Sequence, residues 1–400
     1  MDLISPRPFW PLKNGLPATY PPLRQDLTCD VAVLGAGISG ALMADELSRA
    51  GFDVVVLDKR DVAGGSTSAS TALLQYEIDV SLVDLTKMIG RADAERAYQL
   101  CHESIDLLEG LAREMDAGCS FQRKKSVYLG TRKSDARMLQ KEGEARRAAG
   151  IAVEYWDEAD VSAHFYFSRP AALMSEQGAE LDCYKFTHEL LARAARNGAR
   201  IFDRTTVKDY EPEGDGVRLK TDRGNTVRAR QVVFATGYES QNYLPKKVVS
   251  LKSTFALASE PLEAFPGWWE RCLIWTTARP YIYLRTTNDG RAMMGGGDDP
   301  FRNPDRRDWL VDKKTERLAE DFRGMFPEIE LEVAYRWAGT FGETKDGLAY
   351  IGQVRQMPQC WFALGFGGNG ITYSVLAARI IRDALKEKPN ADARLFRFDR

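Results

Sequence analysis

The sequence contains few of the residues that build metal sites or disulfide frameworks. Its 400 residues include three histidines and six cysteines, and the cysteines stand far apart without paired spacing. Scattered cysteines are typical of reduced thiols in a cytoplasmic protein, whereas zinc sites and disulfide scaffolds need paired or clustered ligands. We therefore expect no metal site and a cytoplasmic location.

Long apolar runs and an excess of one charge are also absent. No stretch approaches the ~20 apolar residues that span a bilayer, and residues 1–8 lack the basic and then apolar pattern of a signal peptide. The 55 Lys and Arg residues nearly balance the 57 Asp and Glu residues, for a formal net charge of −2. We therefore expect neither a membrane span nor a nucleic-acid partner.

A glycine-rich motif between two apolar segments organises the N-terminal part. Residues 30–34 predict a buried strand, the motif Gly35-Ala36-Gly37-Ile38-Ser39-Gly40 opens a helix, and a second strand ends at Asp58. In this order Gly35 permits the tight turn, Gly37 lets the backbone approach a pyrophosphate, and Gly40 lets helix and strand pack closely. Asp58 is placed to bind an adenosine ribose. The full context predicts a dinucleotide site.

A loop of small residues follows Asp58, where a nicotinamide enzyme would continue with another helix and strand. The loop runs from Lys59 to Ala72 and includes Gly65, Ser66 and Thr67. Small side chains let a long cofactor lie against the backbone, so FAD is favoured and NAD is the alternative.

With this loop the chain resembles the D-amino-acid oxidase family of flavoproteins, which includes glycine oxidase, sarcosine oxidase and related amine oxidases. The 337–352 stretch and the glycine-rich 363–372 stretch carry the same resemblance. Many relatives have His where Asn369 stands, and the Asn amide keeps a hydrogen-bond donor for the reduced flavin. The resemblance implies further FAD contacts at Val207, Ala235, Thr236, Gly237, Gly367, Gly368, Asn369, Gly370, Ile371 and Thr372.

The resemblance also implies the architecture, an α/β fold in which a Rossmann-type FAD-binding domain carries a substrate domain with a mixed or antiparallel sheet. The predicted FAD-binding domain is discontinuous, and the substrate domain has a helical insert. Residues 1–28, rich in Pro and aromatics, suit an extended arm on the surface or on a partner, or a disordered leader. The predicted segments are 29–90, 176–247 and 342–400 for FAD binding, and 91–175 and 248–341 for the substrate domain.

The substrate domain offers one candidate pocket face. In the predicted strand 279–285, alternation places Tyr281, Tyr283 and Arg285 on the same side. Two phenols and a guanidinium suit a polar substrate pocket, and they suit a solvent-facing surface equally well.

Departures from the family pattern bear on the substrate. Relatives that oxidise amino acids keep a carboxylate-binding Arg where Thr340 or Phe341 stands here. Glu77 and Asp79 follow the flavin loop, near the place where sarcosine oxidase carries a carboxylate-binding Arg. Because burying a carboxylate without a fixed cation is costly, we expect an amine as substrate. The alternative is an amino acid whose carboxylate pairs with Arg285.

Further departures concern the flavin. Met293 stands where sarcosine oxidase has the Lys that activates oxygen, and neither Cys nor His stands at the positions used for covalent attachment. We therefore expect FAD to be bound non-covalently. The three histidines, His102, His164 and His188, lie away from the flavin motifs and are expected at the surface or in packing.

The predicted reaction is hydride transfer from an amine or amino-acid C–H bond to flavin N5, which gives an imine that hydrolyses, with oxygen as the acceptor. Two alternatives stay open. The chain could be an FAD-dependent dehydrogenase of an amine or 2-hydroxy acid with a quinone or protein acceptor. It could also be a flavin-binding subunit of a larger complex, with the N-terminal arm as its docking element.

Overall fold

The computed structural model describes residues 2–115 and 118–400, which fold around two β-sheets. In this part of the chain, no helix is both long and apolar enough to cross a membrane. The helices are α1 (Phe9–Asn14), α2 (Ile38–Arg49), α3 (Ser66–Ala69), α4 (Leu82–Ile89), α5 (Arg91–Glu114), α6 (Asp135–Ala148), α7 (Glu158–His164), α8 (Cys183–Arg196), α9 (Pro304–Trp309), α10 (Val311–Met325) and α11 (Gly370–Leu385). The strands are β1 (Leu27–Leu34), β2 (Val54–Leu57), β3 (Leu73–Gln75), β4 (Gln122–Leu129), β5 (Glu154–Asp157), β6 (Ala171–Glu180), β7 (Arg200–Phe202), β8 (Val207–Glu213), β9 (Gly216–Thr221), β10 (Thr226–Phe234), β11 (Ser250–Ser259), β12 (Leu273–Thr276), β13 (Ile282–Thr286), β14 (Ala292–Pro300), β15 (Val333–Glu343), β16 (Tyr350–Val354) and β17 (Met357–Leu364).

The first sheet is a parallel sheet with an antiparallel extension. Its order is β16-β17-β10-β1-β2-β7, and the β8–β9 hairpin pairs with β10. The strands β17, β10, β1, β2 and β7 run parallel, as in a Rossmann-type fold. All of β2 and the second half of β1 are buried, because helices and loops cover both faces of such a sheet. Helix α2 packs against α8 and α11.

The second sheet is mixed. Its order is β15-β11-β14-β13-β12-β4-β6-β3, and β5 pairs with β6. Neighbouring strands are antiparallel except β4 and β12, which run parallel. Helix α10 packs on β11, β14 and β15. A parallel α/β sheet beside a mixed sheet confirms the predicted fold class.

The chain crosses between the sheets at places that differ from the predicted domain boundaries. β3 lies inside the predicted FAD-binding segment 29–90, yet it pairs with β6 in the second sheet. β6 itself continues to Glu180, past the predicted boundary at 175. The chain leaves the strand conformation between β7 and β8, where Arg204 has φ of +45° and the side chains of Asp203 and Thr205 accept hydrogen bonds from the backbone of residues 20 and 23.

The N-terminal segment is packed into the protein, so the expectation of a surface arm or a disordered leader is corrected. Helix α1 buries Phe9 and Trp10, and the ring of Phe9 stacks on Trp337 with 5.8 Å between centroids. The indole Nε1 of Trp10 donates a hydrogen bond to the carbonyl oxygen of Ser70 at 2.6 Å. Composition showed that the segment is aromatic, but it could not show which surface would cover those rings.

Trp10→Ala should lower the free energy of unfolding by about 3–5 kcal/mol, because it leaves a large cavity and removes this hydrogen bond. The matched control is Leu12→Ala in the same helix, whose side chain is 53% exposed and whose loss should change stability by less than about 0.5 kcal/mol. Urea unfolding followed by circular dichroism measures both. Equal stability of the two variants would show that the segment does not contribute to the core.

Candidate cofactor and substrate site

A single elongated cavity lies where the two sheets meet, and it collects the predicted cofactor residues. Every one of them except Gly40 lines this cavity. They come from the ends of β1, β2 and β10, from the loop after Asp58, and from the start of α11. The lining set is Gly35, Gly37, Ile38, Ser39, Asp58, Lys59, Gly65, Ser66, Thr67, Ala72, Val207, Ala235, Thr236, Gly237, Gly367, Gly368, Asn369, Gly370, Ile371 and Thr372.

The glycine-rich turn packs so closely against its neighbours that side chains at its glycines would collide with them. Gly35 has φ of +104°, and a Cβ there would lie 2.5 Å from the carbonyl oxygen of Ala235. A Cβ on Gly37 would lie 3.0 Å from Thr67 Oγ1. Gly40 does not line the cavity, because it faces the turn itself, where a Cβ would lie 1.8 Å from the carbonyl oxygen of Gly35. The turn therefore fits a pyrophosphate laid against bare backbone.

Two helices begin at the cavity. Gly37 precedes α2 and has no side chain, and Asn369 precedes α11 without accepting a hydrogen bond from it. The first N–H of α2, at Ile38, donates to Thr67 Oγ1 at 2.9 Å. The first N–H groups of a helix attract anionic groups, which suits a cofactor with a pyrophosphate and a ring that gains negative charge on reduction. Asn369 Nδ2 instead donates to the carbonyl oxygens of Gln75 and Glu77 at 3.0 Å each. The amide expected to face the flavin therefore braces the segment after β3.

Asp58 supports the turn as well as lining the cavity. Its Oδ2 accepts a hydrogen bond from the backbone of Ala36 at 2.7 Å, and its Oδ1 accepts one from the backbone of Arg60 at 2.8 Å. Burial raises the pKa of the Asp58 carboxyl, and these two donors oppose the rise. Lys59 beside it pairs with Glu239, with 2.5 Å between Nζ and Oε2. The cations at this end of the cavity are therefore already paired.

The wall from the second sheet is aromatic. Tyr281 and Tyr283 line the cavity with 6.0 Å between ring centroids, and Trp275 lines it beside them. Trp275 stacks on Tyr128 at 3.6 Å. Burial raises the pKa of Tyr283 to about 12, so this phenol stays neutral in the ordinary pH range. The spacing of the two tyrosines could be found in the sequence, but Trp275 lies on a neighbouring strand and carried no signal of its own.

Carboxyl groups lie beside this aromatic wall. Asp79 Oδ2 accepts a hydrogen bond from the backbone of Gly368 at 3.1 Å, and a Cβ on Gly368 would lie 3.5 Å from Tyr281 Oη. Burial raises the pKa of Asp298 to about 7, and the carboxylates of Glu343 and Asp79 add to the rise. A carboxyl with such a pKa lacks a full counter-charge. The substrate end of the cavity is therefore rich in carboxyl groups, of which Asp79 lines the cavity and Asp298 and Glu343 do not.

Glu77 is a second acid in the lining, and it is buried. Its Oε1 lies 3.6 Å from Nη1 of Arg146 and accepts a long hydrogen bond of 3.4 Å from Ser126. In the described part of the chain, its Oε2 has no hydrogen-bond partner. Burial raises the pKa of Glu77 while Arg146 opposes the rise.

Arg285 lies on the predicted face of β13 but does not line the cavity, which corrects the expectation that it faces the substrate. Its Nη1 donates to the carbonyl oxygens of Thr71, Ala72 and Leu181 at 3.0, 2.8 and 3.1 Å. The buried guanidinium also lies 3.5 Å from Glu180. Of the three residues predicted to share one side of this strand, only Tyr281 and Tyr283 line the cavity. Arg285 holds the loop that carries Ala72.

Other predicted positions lie outside the cavity. Met293 is buried in the core, and His102, His164 and His188 are absent from the described lining. Burial lowers the pKa of His188 to about 4, as expected for a packing residue.

Cys183 also lines the cavity, although no cysteine was predicted there. Cys183 Sγ donates a hydrogen bond to the carbonyl oxygen of Thr67 at 3.3 Å. Burial raises the pKa of this thiol, which therefore stays protonated and is a poor nucleophile.

The parallel sheet, the glycine-rich turn and the cavity between the two sheets are suited to a bound dinucleotide such as FAD. Residues 30–384 match the model of the FAD dependent oxidoreductase (DAO) family, and the chain belongs to that family. It is an FAD-dependent oxidoreductase.

Known proteins similar to this chain agree with that assignment. The glycine oxidase of Bacillus licheniformis is 27% identical over 372 residues, covering 90% of this chain and 94% of its own. The gamma-glutamylputrescine oxidoreductase of Escherichia coli (strain K12) is 24% identical over 389 residues, covering 92% and 86%. The crystal structure of glycine oxidase from Geobacillus kaustophilus has the same fold, with a TM-score of 0.77, 20% identity and coverage of 91% and 96%.

Gly37→Val should abolish FAD binding, because the valine would fill the pyrophosphate space and press on Thr67. Asp58→Ala should weaken binding by a smaller factor, roughly tenfold to a hundredfold, since charged hydrogen bonds contribute ~1.5–3 kcal/mol. Titration of FAD into the apoprotein measures both affinities, and Gly110→Val, on the exposed side of α5, is the control. Wild-type affinity in Gly37→Val would contradict the site.

Denaturation by acid or heat should release the flavin into the supernatant. The reason is that the one cysteine of the described lining is a buried, protonated thiol and no histidine lines the cavity. Absorbance of the supernatant and of the protein pellet after precipitation measures the release. A pellet that stays yellow would show a covalent bond.

Proposed function

We propose that this protein oxidises a C–N bond of a cationic amine. The ammonium group first loses one proton to the Asp79 carboxylate, the carbon that bears nitrogen then gives up a hydride that bound FAD would take at N5, and the resulting imine hydrolyses. The observation that carries this proposal is the charge of the cavity lining. Beside the aromatic wall the lining contains Glu77 and Asp79, whereas its only Lys and Arg among the described residues are Lys59 and Arg60.

The charge distribution disfavours a substrate carboxylate. Lys59 and Arg60 stand next to Asp58, at the end of the first sheet, and both pair with Glu239. A carboxylate in the aromatic part of the cavity would lose its hydration near like charges, and Arg279, which lies 5.5 Å from the ring centroid of Tyr281, is not among the described residues that line the cavity. Burial raises the pKa of Asp79, and an ammonium group beside it would supply the counter-charge that favours its ionised form. The names of the relatives are compatible with either an amine or an amino acid as substrate. The charge of the cavity lining favours the amine.

The side chains of the wall have distinct roles in this proposal. The faces of Tyr281, Tyr283 and Trp275 attract a cation and exclude water from it. The carboxylate of Asp79 is held by Gly368 and orients the ammonium group. Alignment of this kind contributes ~7–11 kcal/mol to catalysis without any acid or base of high reactivity.

Oxygen is the proposed electron acceptor, and a quinone or protein acceptor is the alternative. Met293 favours the alternative acceptor, because this buried methionine stands where the resemblance places the oxygen-activating Lys of sarcosine oxidase. Oxygen uptake during turnover separates the two. A flavin-binding subunit that docks through its N-terminal arm loses support, because that segment packs into this chain's own core. The six free cysteines are all buried, which supports a reducing compartment such as the cytoplasm.

Anaerobic bleaching of the bound flavin by matched pairs tests the substrate. We expect ethylamine and phenethylamine to reduce the flavin faster than the D- or L-forms of alanine and phenylalanine. Asp79→Asn should lower kcat/KM for the amines about tenfold, which corresponds to ~1.4 kcal/mol, because the amide still accepts from Gly368 but carries no charge.

The matched control is Asp84→Asn, whose carboxylate is 61% exposed and pairs with Lys87 on the surface. It should leave both rates unchanged, since exposed ion pairs contribute little. Faster reduction by an amino acid than by its decarboxylated amine, unchanged in Asp79→Asn, would refute the amine proposal.

A further inference from the structure

Leu3 is a buried apolar residue that does not belong to a packed core. Its side chain is 4% exposed and lines the cavity. Among the described residues, the apolar clusters of the core do not include it. Its apolar contact area is therefore turned toward the cavity, where it can meet a ligand.

The backbone around Leu3 is fixed as an added strand on the edge of the second sheet. The carbonyl oxygen of Leu3 accepts from the backbone of Thr340 at 2.8 Å, and the backbone of Ser5 donates to Ala338 at 2.9 Å. Ser5 Oγ accepts from the backbone of Ala338 at 2.9 Å, and residue 4 bridges to Gly339. Hydrogen bonds on both sides of residue 4 set the direction of the Leu3 side chain.

A buried arginine adds to this fixation. The side chain of Arg307 is 0% exposed, and its guanidinium donates to the carbonyl oxygens of Asp2 at 3.2 Å and of Ile4 at 2.6 Å. Burying a guanidinium is unfavourable unless its donors are satisfied. Much of this satisfaction comes from residues 2–4, so Arg307 is a positioning residue for them.

The added strand lies at the substrate end of the cavity. It pairs with the part of β15 that contains Gly339 and Thr340, and these two residues pair with Thr254 and Ser253 of β11. Thr254 lines the cavity together with Tyr283. We propose that the side chain of Leu3 forms one wall of the substrate pocket and sets the size of the molecule that can reach the bound FAD. This inference requires bound FAD but does not require the amine preference.

Reduction of the bound FAD by two artificial donors of different size tests this wall. The large donor is 1-benzyl-1,4-dihydronicotinamide, which transfers one hydride from C4 to FAD and leaves as its pyridinium cation. The small donor is dithionite. The rate ratio of large to small donor is measured anaerobically in the wild type, Leu3→Ala, Leu3→Phe and Leu12→Ala, after absorbance has shown equal FAD content.

We expect Leu3→Ala to raise the ratio about tenfold, as for a change of a few methylenes in an apolar pocket. Leu3→Phe should lower it, and Leu12→Ala, in the same N-terminal segment but exposed, should leave it unchanged. If Leu3→Ala fails to retain FAD, Leu3→Phe alone decides. A wild-type ratio in every Leu3 variant that retains FAD would overturn the proposal, whichever amine or amino acid the enzyme prefers.

Discussion

The close approach of α2 to the strand before it is the constraint on which the site depends. At residue 40 a Cβ would lie 1.8 Å from a backbone carbonyl oxygen, so only a hydrogen atom fits there. This contact directs the start of α2 at the cavity, and α2 then provides the surface on which α8 and α11 pack. Helix α11 follows the second glycine-rich turn and packs on α2. The close approach at Gly40 therefore also helps to position the start of α11 at the cavity.

A buried network of charged side chains holds the segment after β3, which carries the cavity acids Glu77 and Asp79. Glu142 on α6 accepts from the backbone of Leu82 and Val83 at 2.9 and 3.0 Å, and Arg146 donates back to Glu142 at 2.9 Å. Arg146 also donates to the hydroxyl of Tyr76 at 3.2 Å. The segment after β3 is thus held between α6 and the start of α11. Such a network is a weak source of stability but fixes a backbone where alternatives would leave a charge unpaired.

The part of the cofactor site between residues 35 and 72 could be predicted because its determinants are local, whereas the contacts at 207, 235–237 and 367–372 were implied by the family resemblance. A turn without Cβ atoms, an acid at a strand end and a loop of small residues are all defined by neighbours in sequence, and the structure gathers them around one cavity. Arg285 and Trp10 could not be placed in this way. Their partners are carbonyl oxygens of the loop at residues 59–72, which lie 213 residues from Arg285 and 60 residues from Trp10 along the chain. Alternation predicts which residues share one face of a strand. Only the folded structure shows which residues of that face line a cavity.

The added strand at residues 3–5 has a consequence for self-association. β15 is the last strand of its sheet, and an uncovered last strand presents N–H and C=O groups that can pair with another chain. β15 has eleven residues, and the N-terminal residues form hydrogen bonds with the backbone groups of two of them, Ala338 and Thr340. The same short segment that walls the cavity therefore also blocks part of the sheet margin most open to intermolecular β-pairing.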